Sequence, residues 1–205
     1  MKLNSIERLV VNNPLRLAGQ FLEMQWFNRR LPVSQGARIL EIGCGRGAGA
    51  QLIIEKFSPD LLCLMDLDIQ MISKAKNLIA TIKENNIGYL NAGATFLPFN
   101  PETFDAIFGF GFLHHVMEWQ RSIKEIARVL RPGGSYYLEE LYPEIYQNMV
   151  TRHLLVHPET NRFDSLDLIN AIKNEGLDIA HKLEIKKVGI LAIIKKNGGQ
   201  EASAG

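Results

Sequence analysis

Residues Arg38 to Gly49 read Arg-Ile-Leu-Glu-Ile-Gly-Cys-Gly-Arg-Gly-Ala-Gly. An apolar run of strand length closes around an acid, Glu41, and glycines follow at 43, 45, 47 and 49. Glycine is needed where backbone turns with positive φ or approaches a ligand without a Cβ in the way. A strand feeding a glycine turn and then a helix is how an α/β sheet builds a nucleotide crevice at its carboxyl edge. The next apolar run ends in Asp66, where an acid can take both hydroxyls of a ribose; Asp68 competes for that role but stands where a helix N-cap is wanted. Farther along come Ala94-Thr-Phe-Leu97-Pro98-Phe99, then Phe104-Asp105, Leu113-His114-His115, and Arg128-Val-Leu-Arg-Pro132-Gly133-Gly134. His114 and His115 could move a proton near neutrality. Glu139, Glu140 and Tyr142 fall at the end of a strand, where they could orient or deprotonate an acceptor or be no more than a solvated strand end.

The elements that must position these residues alternate. Strands are expected at Arg38–Ile42, Leu61–Asp66, Ile87–Asn91, Phe104–Phe110 and Ser135–Leu141. Helices are expected at Ala48–Lys56, Ile69–Asn85 and Trp119–Leu130, the last with Ile123, Ile126, Ala127 and Leu130 on one stripe. A helix over Leu15–Arg30 precedes them, with Leu15, Ala18, Leu22 and Trp26 on its apolar face. The alternation predicts βαβ units and a mostly parallel sheet covered on both faces. After Pro143 come helices over Glu144–Val156 and Asp164–Glu175. Two strands near Ile179–Ile185 and Gly189–Lys195 then close as an antiparallel hairpin at the sheet's edge. Residues 1–37 read as a helical N-terminal segment, 38–196 as the binding domain and 197–205 as a flexible tail.

With these residues in hand, the chain resembles the class I S-adenosylmethionine-dependent methyltransferases, closest to the small-molecule type 11, or ubiquinone/menaquinone-biosynthesis-like, branch. The resemblance is close from Arg38 to Leu141 and looser beyond. It implies a Rossmann-like, doubly wound, seven-stranded sheet and methyl transfer from S-adenosylmethionine to a small, partly apolar acceptor. It also implies roles: Gly43, Cys44 and Gly45 under the methionine part, Glu41 holding that loop and reaching the amino group, and Asp66 on the ribose. Leu67 would pack on adenine, Ala94 would meet it through its N–H, and the backbone at Phe110 would meet the ammonium. One departure stands out. The family writes Gly-Asp-Ala where this chain has Ala92-Gly93-Ala94, so the acid that accepts from the adenine amino group is missing at Gly93. The segment Leu141–Phe163 is expected to cover the acceptor, with Tyr142, Met149 and His153 as candidate contacts. No single catalytic residue stands out beyond His114, His115 and Glu140, and an already activated methyl asks for little more than alignment.

Other readings leave marks as well. Gly43-x-Gly45-x-x-Ala48 also fits a nicotinamide-dinucleotide turn, but the closing hairpin offers no second half-sheet for nicotinamide. A non-catalytic S-adenosylmethionine-binding sensor or scaffold is compatible with the departure at Gly93. A formal net charge of +1 provides no global field for nucleic acid, and the Asp/Asn-Pro-Pro-aromatic motif of base methyltransferases is missing. Cys44 and Cys63 match no metal spacing, and no metal is expected. Met1–Val11 carries neither a sustained apolar run nor a small-residue cleavage site, so a cytoplasmic protein without a membrane span is expected. The oligomeric state is not legible.

Overall fold

The computed structural model describes residues 14–82, 86–146 and 161–198. In chain order the elements are α1 (Pro14–Arg30), β1 (Arg38–Ile42), α2 (Ala48–Phe57), β2 (Leu61–Asp66), α3 (Ile69–Ile79) and β3 (Ile87–Asn91). Then follow β4 (Phe104–Phe110), a 3₁₀ turn (Leu113–His115), α4 (Trp119–Val129), β5 (Leu130–Leu141) and the short α5 (Pro143–Tyr146). α6 (Ser165–Asn174), β6 (Leu177–Ile185) and β7 (Gly189–Lys196) complete the fold.

One seven-stranded sheet runs β3-β2-β1-β4-β5-β7-β6. The first five strands pair in parallel, while β7 pairs antiparallel with both β5 and β6. The expected α/β sheet and its closing hairpin are therefore present. Strand order reverses at β1 and β4, which opens a crevice beyond their carboxyl ends.

Apolar clusters lie on both faces. α1, α2 and α3 cover one through Met24, Phe27, Ile53, Phe57 and Ala75; α4 and α6 cover the other through Ile123, Ile126, Leu168 and Ile172. On the first face Phe108 stacks on Tyr137 at 4.5 Å and on Phe57 at 5.8 Å, with Phe27 edge-on to Tyr137 at 5.5 Å. Such pairs contribute about 0.5–1.5 kcal/mol each beyond their buried area.

Three element expectations need correction. α1 does not bury the Ala18–Leu22 face: Leu22 is 67% exposed, and the inward stripe is Gln20, Met24 and Phe27. A stripe containing a glutamine is illegible by hydropathy, because this helix covers a polar site as well as core. α3 ends at Ile79 rather than Asn85, since the Thr81 hydroxyl donates to the Leu78 carbonyl at 2.7 Å and so competes with the helix ladder. β5 begins at Leu130, because Arg-Pro-Gly-Gly continues the strand past a register shift against β4 between Phe104 and Ala106, and a bulge is where proline is tolerated. The expected helix over Glu144–Val156 is seen only in its first turn, and 147–160 lie outside the described residues.

Candidate functional site

A cavity of about 440 Å³ opens at the carboxyl edge of the sheet. Gly43, Gly45, Asp66, Leu67, Gly93, Ala94, Phe110 and His115 all line it, so residues far apart in sequence meet in one place. α1 adds Arg16 and Gln20, which the sequence reading did not include. Their only sequence signal was a polar residue recurring on the inward side of a helix.

The glycine turn is built from β1 into α2. The N–H groups of Gly43 and Cys44 both donate to the Met65 carbonyl, at 2.8 and 3.0 Å, which ties the turn to the end of β2. Gly43 has φ +71°, and a Cβ there would stand 2.8 Å from Phe112 Cβ, so the position requires glycine. The Cys44 side chain turns into the core rather than the cavity, and burial pushes its thiol up.

Asp66 closes the turn from the other side. One carboxylate oxygen accepts from Gly45 N–H at 2.9 Å and the other from Asp68 N–H at 2.8 Å, and each keeps capacity for a further donor. Burial raises its pKa, and those two N–H groups oppose the rise. Asp68 is the N-cap of α3, its side chain accepting from Gln70 N–H at 3.0 Å.

Glu41 is 1% exposed, and its Oε2 has no hydrogen-bond partner among the described residues. Burial first, and then the Asp66 charge, push its carboxyl up to about 8. It lies beneath α2 so closely that a Cβ on Gly49 would come 2.2 Å from Glu41 Oε1 and 2.9 Å from Gln20 Nε2. An orphaned buried acid costs free energy unless a donor or cation reaches it.

Glu139 and Glu140 are not a solvated strand end: they are 8% and 0% exposed. Consecutive strand residues face opposite ways, and each carboxylate finds its own partner. Glu139 accepts from Arg16 at 2.7 Å, and Arg16 also donates to Glu23 at 2.7 Å, which pins α1 across the end of β5. Burial pushes the Glu139 carboxyl up to about 8 against the pull of Arg16. Glu140 accepts from Leu113 N–H at 2.7 Å and contacts His114 Nδ1, so His114 is directed into the protein while His115 lines the cavity.

The other candidates fall elsewhere. Tyr142 is 3% exposed and its hydroxyl donates to Glu184 at 2.9 Å; it does not line the cavity. Met149 and His153 lie outside the described residues. Phe104-Asp105 and Pro132-Gly133-Gly134 stand at the opposite edge of the sheet, where Asp105 accepts from Arg38 N–H at 2.8 Å and from Arg131 at 2.7 Å. Their part is to close the parallel β1–β4–β5 core. Among the described residues no cluster of His, Cys, Asp or Glu could hold a metal, and no helix is long and apolar enough to cross a membrane.

Residues 40–138 match a family described as a methyltransferase domain. The fatty-acid O-methyltransferase of Mycolicibacterium smegmatis is 32% identical over 111 residues, which are 53% of this chain and 39% of that protein. The phthiotriol/phenolphthiotriol dimycocerosates methyltransferase 1 of Mycobacterium ulcerans is 31% identical over the same shares. The chain thus spans about two fifths of the length of the curated relatives it matches. The crystal structure of an S-adenosylmethionine dependent methyltransferase from Mesorhizobium loti superposes with a TM-score of 0.72 at 20% identity, over 87% of this chain and 99% of that one. That likeness is one of fold.

Proposed function

We propose that this chain, whose residues 40–138 match the methyltransferase domain family, binds S-adenosylmethionine in the cavity at its sheet edge and transfers the methyl group to a small, partly apolar acceptor. The observation that carries the reading is a glycine cradle and Asp66 lining one cavity, with the buried, unpartnered Glu41 oxygen on the strand that leads into the cradle, behind the cavity wall. A cationic amino-acid end suits Glu41 and a ribose diol suits Asp66. Glu41, the backbone of Gly43, Cys44 and Gly45, and the backbone at Phe110 would hold the methionine part. Asp66 would hold the ribose, and Leu67, Gly93 and Ala94 would enclose the adenine. When bound, the group supplies a methyl already activated on a sulfonium.

The chain's own residues align the partners and exclude water. Phe110, Phe112, Val116 and Met117 give the cavity apolar walls, while Arg16, Gln20 and His115 supply the polar points that fix orientation. An acyl or other lipid-like acceptor suits such walls, and the names of the relatives support that class. Where the acceptor must lose a proton, His115 is better placed than His114, because Glu140 holds His114 away from the cavity.

Calorimetry with S-adenosylhomocysteine tests the binding half. Turnover of methyl-labelled cofactor against fatty acids, phenols and quinols tests the transfer half. Micromolar binding with no turnover on any acceptor class would favour a cofactor-binding sensor or scaffold, and no binding would sink the reading.

A further inference from the structure

We propose that Glu125 and Arg128 on α4 form a positioning pair for the nucleoside wall of the cavity, residues 92–95, by clamping the chain just beyond it at Leu97 and Phe99. The proposal rests on the reading that this cavity takes an adenosyl group. Neither side chain lines the cavity, and both act through backbone.

The Arg128 guanidinium donates to both Glu125 carboxylate oxygens at 2.8 Å, from Nε and from Nη2. Nη1 donates to the Phe99 carbonyl at 2.8 Å, and Nη2 also donates to the Leu97 carbonyl at 2.8 Å. Glu125 in turn accepts from Leu97 N–H at 2.8 Å. One ion pair therefore fixes the N–H and the carbonyl of Leu97 together with the carbonyl of Phe99. Arg128 holds the Glu125 carboxyl below the usual carboxylate range, so the pair is ionised. Only a planar fork with five donors reaches four acceptor oxygens in this way; a lysine ammonium has three donors and acts as a point charge.

The clamp has a purpose beyond packing. The Leu97 side chain is 1% exposed and Phe99 meets Phe104 edge-on at 4.8 Å, so apolar burial alone keeps the segment attached to the core. The wall itself is Ala92-Gly93-Ala94-Thr95, which has little side chain with which to grip a ligand. It must recognise a base through backbone groups, and those work only if the peptide planes are fixed. At its upstream end Ala92 N–H is tied to the Asp66 carbonyl at 3.2 Å, and inside the wall the Phe96 N–H to Gly93 carbonyl contact is long, at 3.5 Å. The downstream end is held by Glu125 and Arg128. This also explains why the Leu97-Pro-Phe99 and Arg128-Val-Leu stretches occur together in one chain: they are the two halves of one clamp.

The test compares the full chain with Arg128→Lys, Glu125→Gln and the double variant. Calorimetry is run with S-adenosylhomocysteine and with 5′-methylthioadenosine, which has the nucleoside but not the amino-acid end. Amide hydrogen exchange over 92–99 is read in parallel, well below each melting temperature. Arg128→Lys is expected to weaken both ligands by the same factor, roughly 3- to 30-fold, with faster exchange confined to 92–99. The double variant should be no worse than the poorer single, because the two residues act as one unit. Unchanged affinity with faster exchange would overturn the proposal and leave the pair as scaffold. Loss for S-adenosylhomocysteine alone would overturn it too, by moving the effect to the other end of the cavity. An unmutated chain that binds neither ligand would sink the functional reading, and the proposal with it.

Discussion

Gly49→Ala sets two effects of known size against each other. Gly49 lies within α2, where alanine ordinarily stabilises by about 0.8–1.0 kcal/mol over glycine. Its φ is not in the left-handed region, so no backbone strain opposes the change. Here the new methyl would stand 2.2 Å from Glu41 Oε1, 2.9 Å from Gln20 Nε2 and 3.1 Å from Phe110 Cε2. Oxygen and carbon must separate by about 1 Å more, and the Glu41 carboxylate, enclosed on every side, is the group that has to move. Overpacking of this kind costs about 1–3 kcal/mol, so the net loss of stability should be about 0–2 kcal/mol. Ligand binding should suffer more. If Glu41 holds the amino group as proposed, displacing it would remove a hydrogen bond to a charged group, about 1.5–3 kcal/mol, and S-adenosylhomocysteine affinity should fall by roughly 10- to 150-fold. Urea denaturation gives the first quantity and calorimetry the second. A variant about 1 kcal/mol more stable that binds ligand normally would refute both the tight seat of Glu41 and its part in binding.

Asp66→Ala strips the acceptor from Gly45 N–H and Asp68 N–H, and should weaken S-adenosylhomocysteine by about 1.5–3 kcal/mol; unchanged calorimetry would remove Asp66 from the site. Gly93→Asp should tighten the same ligand by no more than about 1–3 kcal/mol, since a Cβ there meets only Leu67 Cδ1, at 3.7 Å, with no left-handed φ to oppose it. A normally folded variant that binds no better would mean that another group already satisfies the adenine amino group. Glu41 and Glu139 are both pushed up to about 8 from an ordinary value near 4.5. The folded chain therefore holds protons that the unfolded chain has released, and stability should fall as pH rises from about 4.5 to about 8, then level off. Thermal melts across that window check the sign. A ligand that brings positive charge to Glu41 should expel its proton, so binding at pH 7 should release a proton and be tighter at pH 8 than at pH 6; calorimetry in two buffers of different ionisation enthalpy reads both.

Local signals carried much of the fold and named many of the residues that line the cavity. The Arg38–Gly49 stretch fixes a strand, a turn that needs positive φ and a helix start within a dozen residues. Asp66 ends its strand wherever the sheet goes, and the Ile123, Ile126, Ala127 and Leu130 stripe marks the face that must be buried. The sequence alone was therefore enough to specify a parallel sheet with a glycine crevice at its carboxyl edge, because those choices depend on neighbours within one turn or one strand. Pairing across the chain is different. That Arg16 reaches Glu139, that Glu139 and Glu140 are buried on opposite faces of β5, and that Gln20 belongs to an inward stripe depend on α1 lying over the end of a strand 123 residues away. A hydropathy pattern scores those residues as surface, since burial of a charge becomes tolerable only when a distant partner is brought to it. The same holds for the two histidines, equal in sequence and separated in space by one carboxylate, and for Tyr142, whose hydroxyl is taken by β6. Only the tertiary structure could decide these, because the partner that settles each side chain's direction lies on another element.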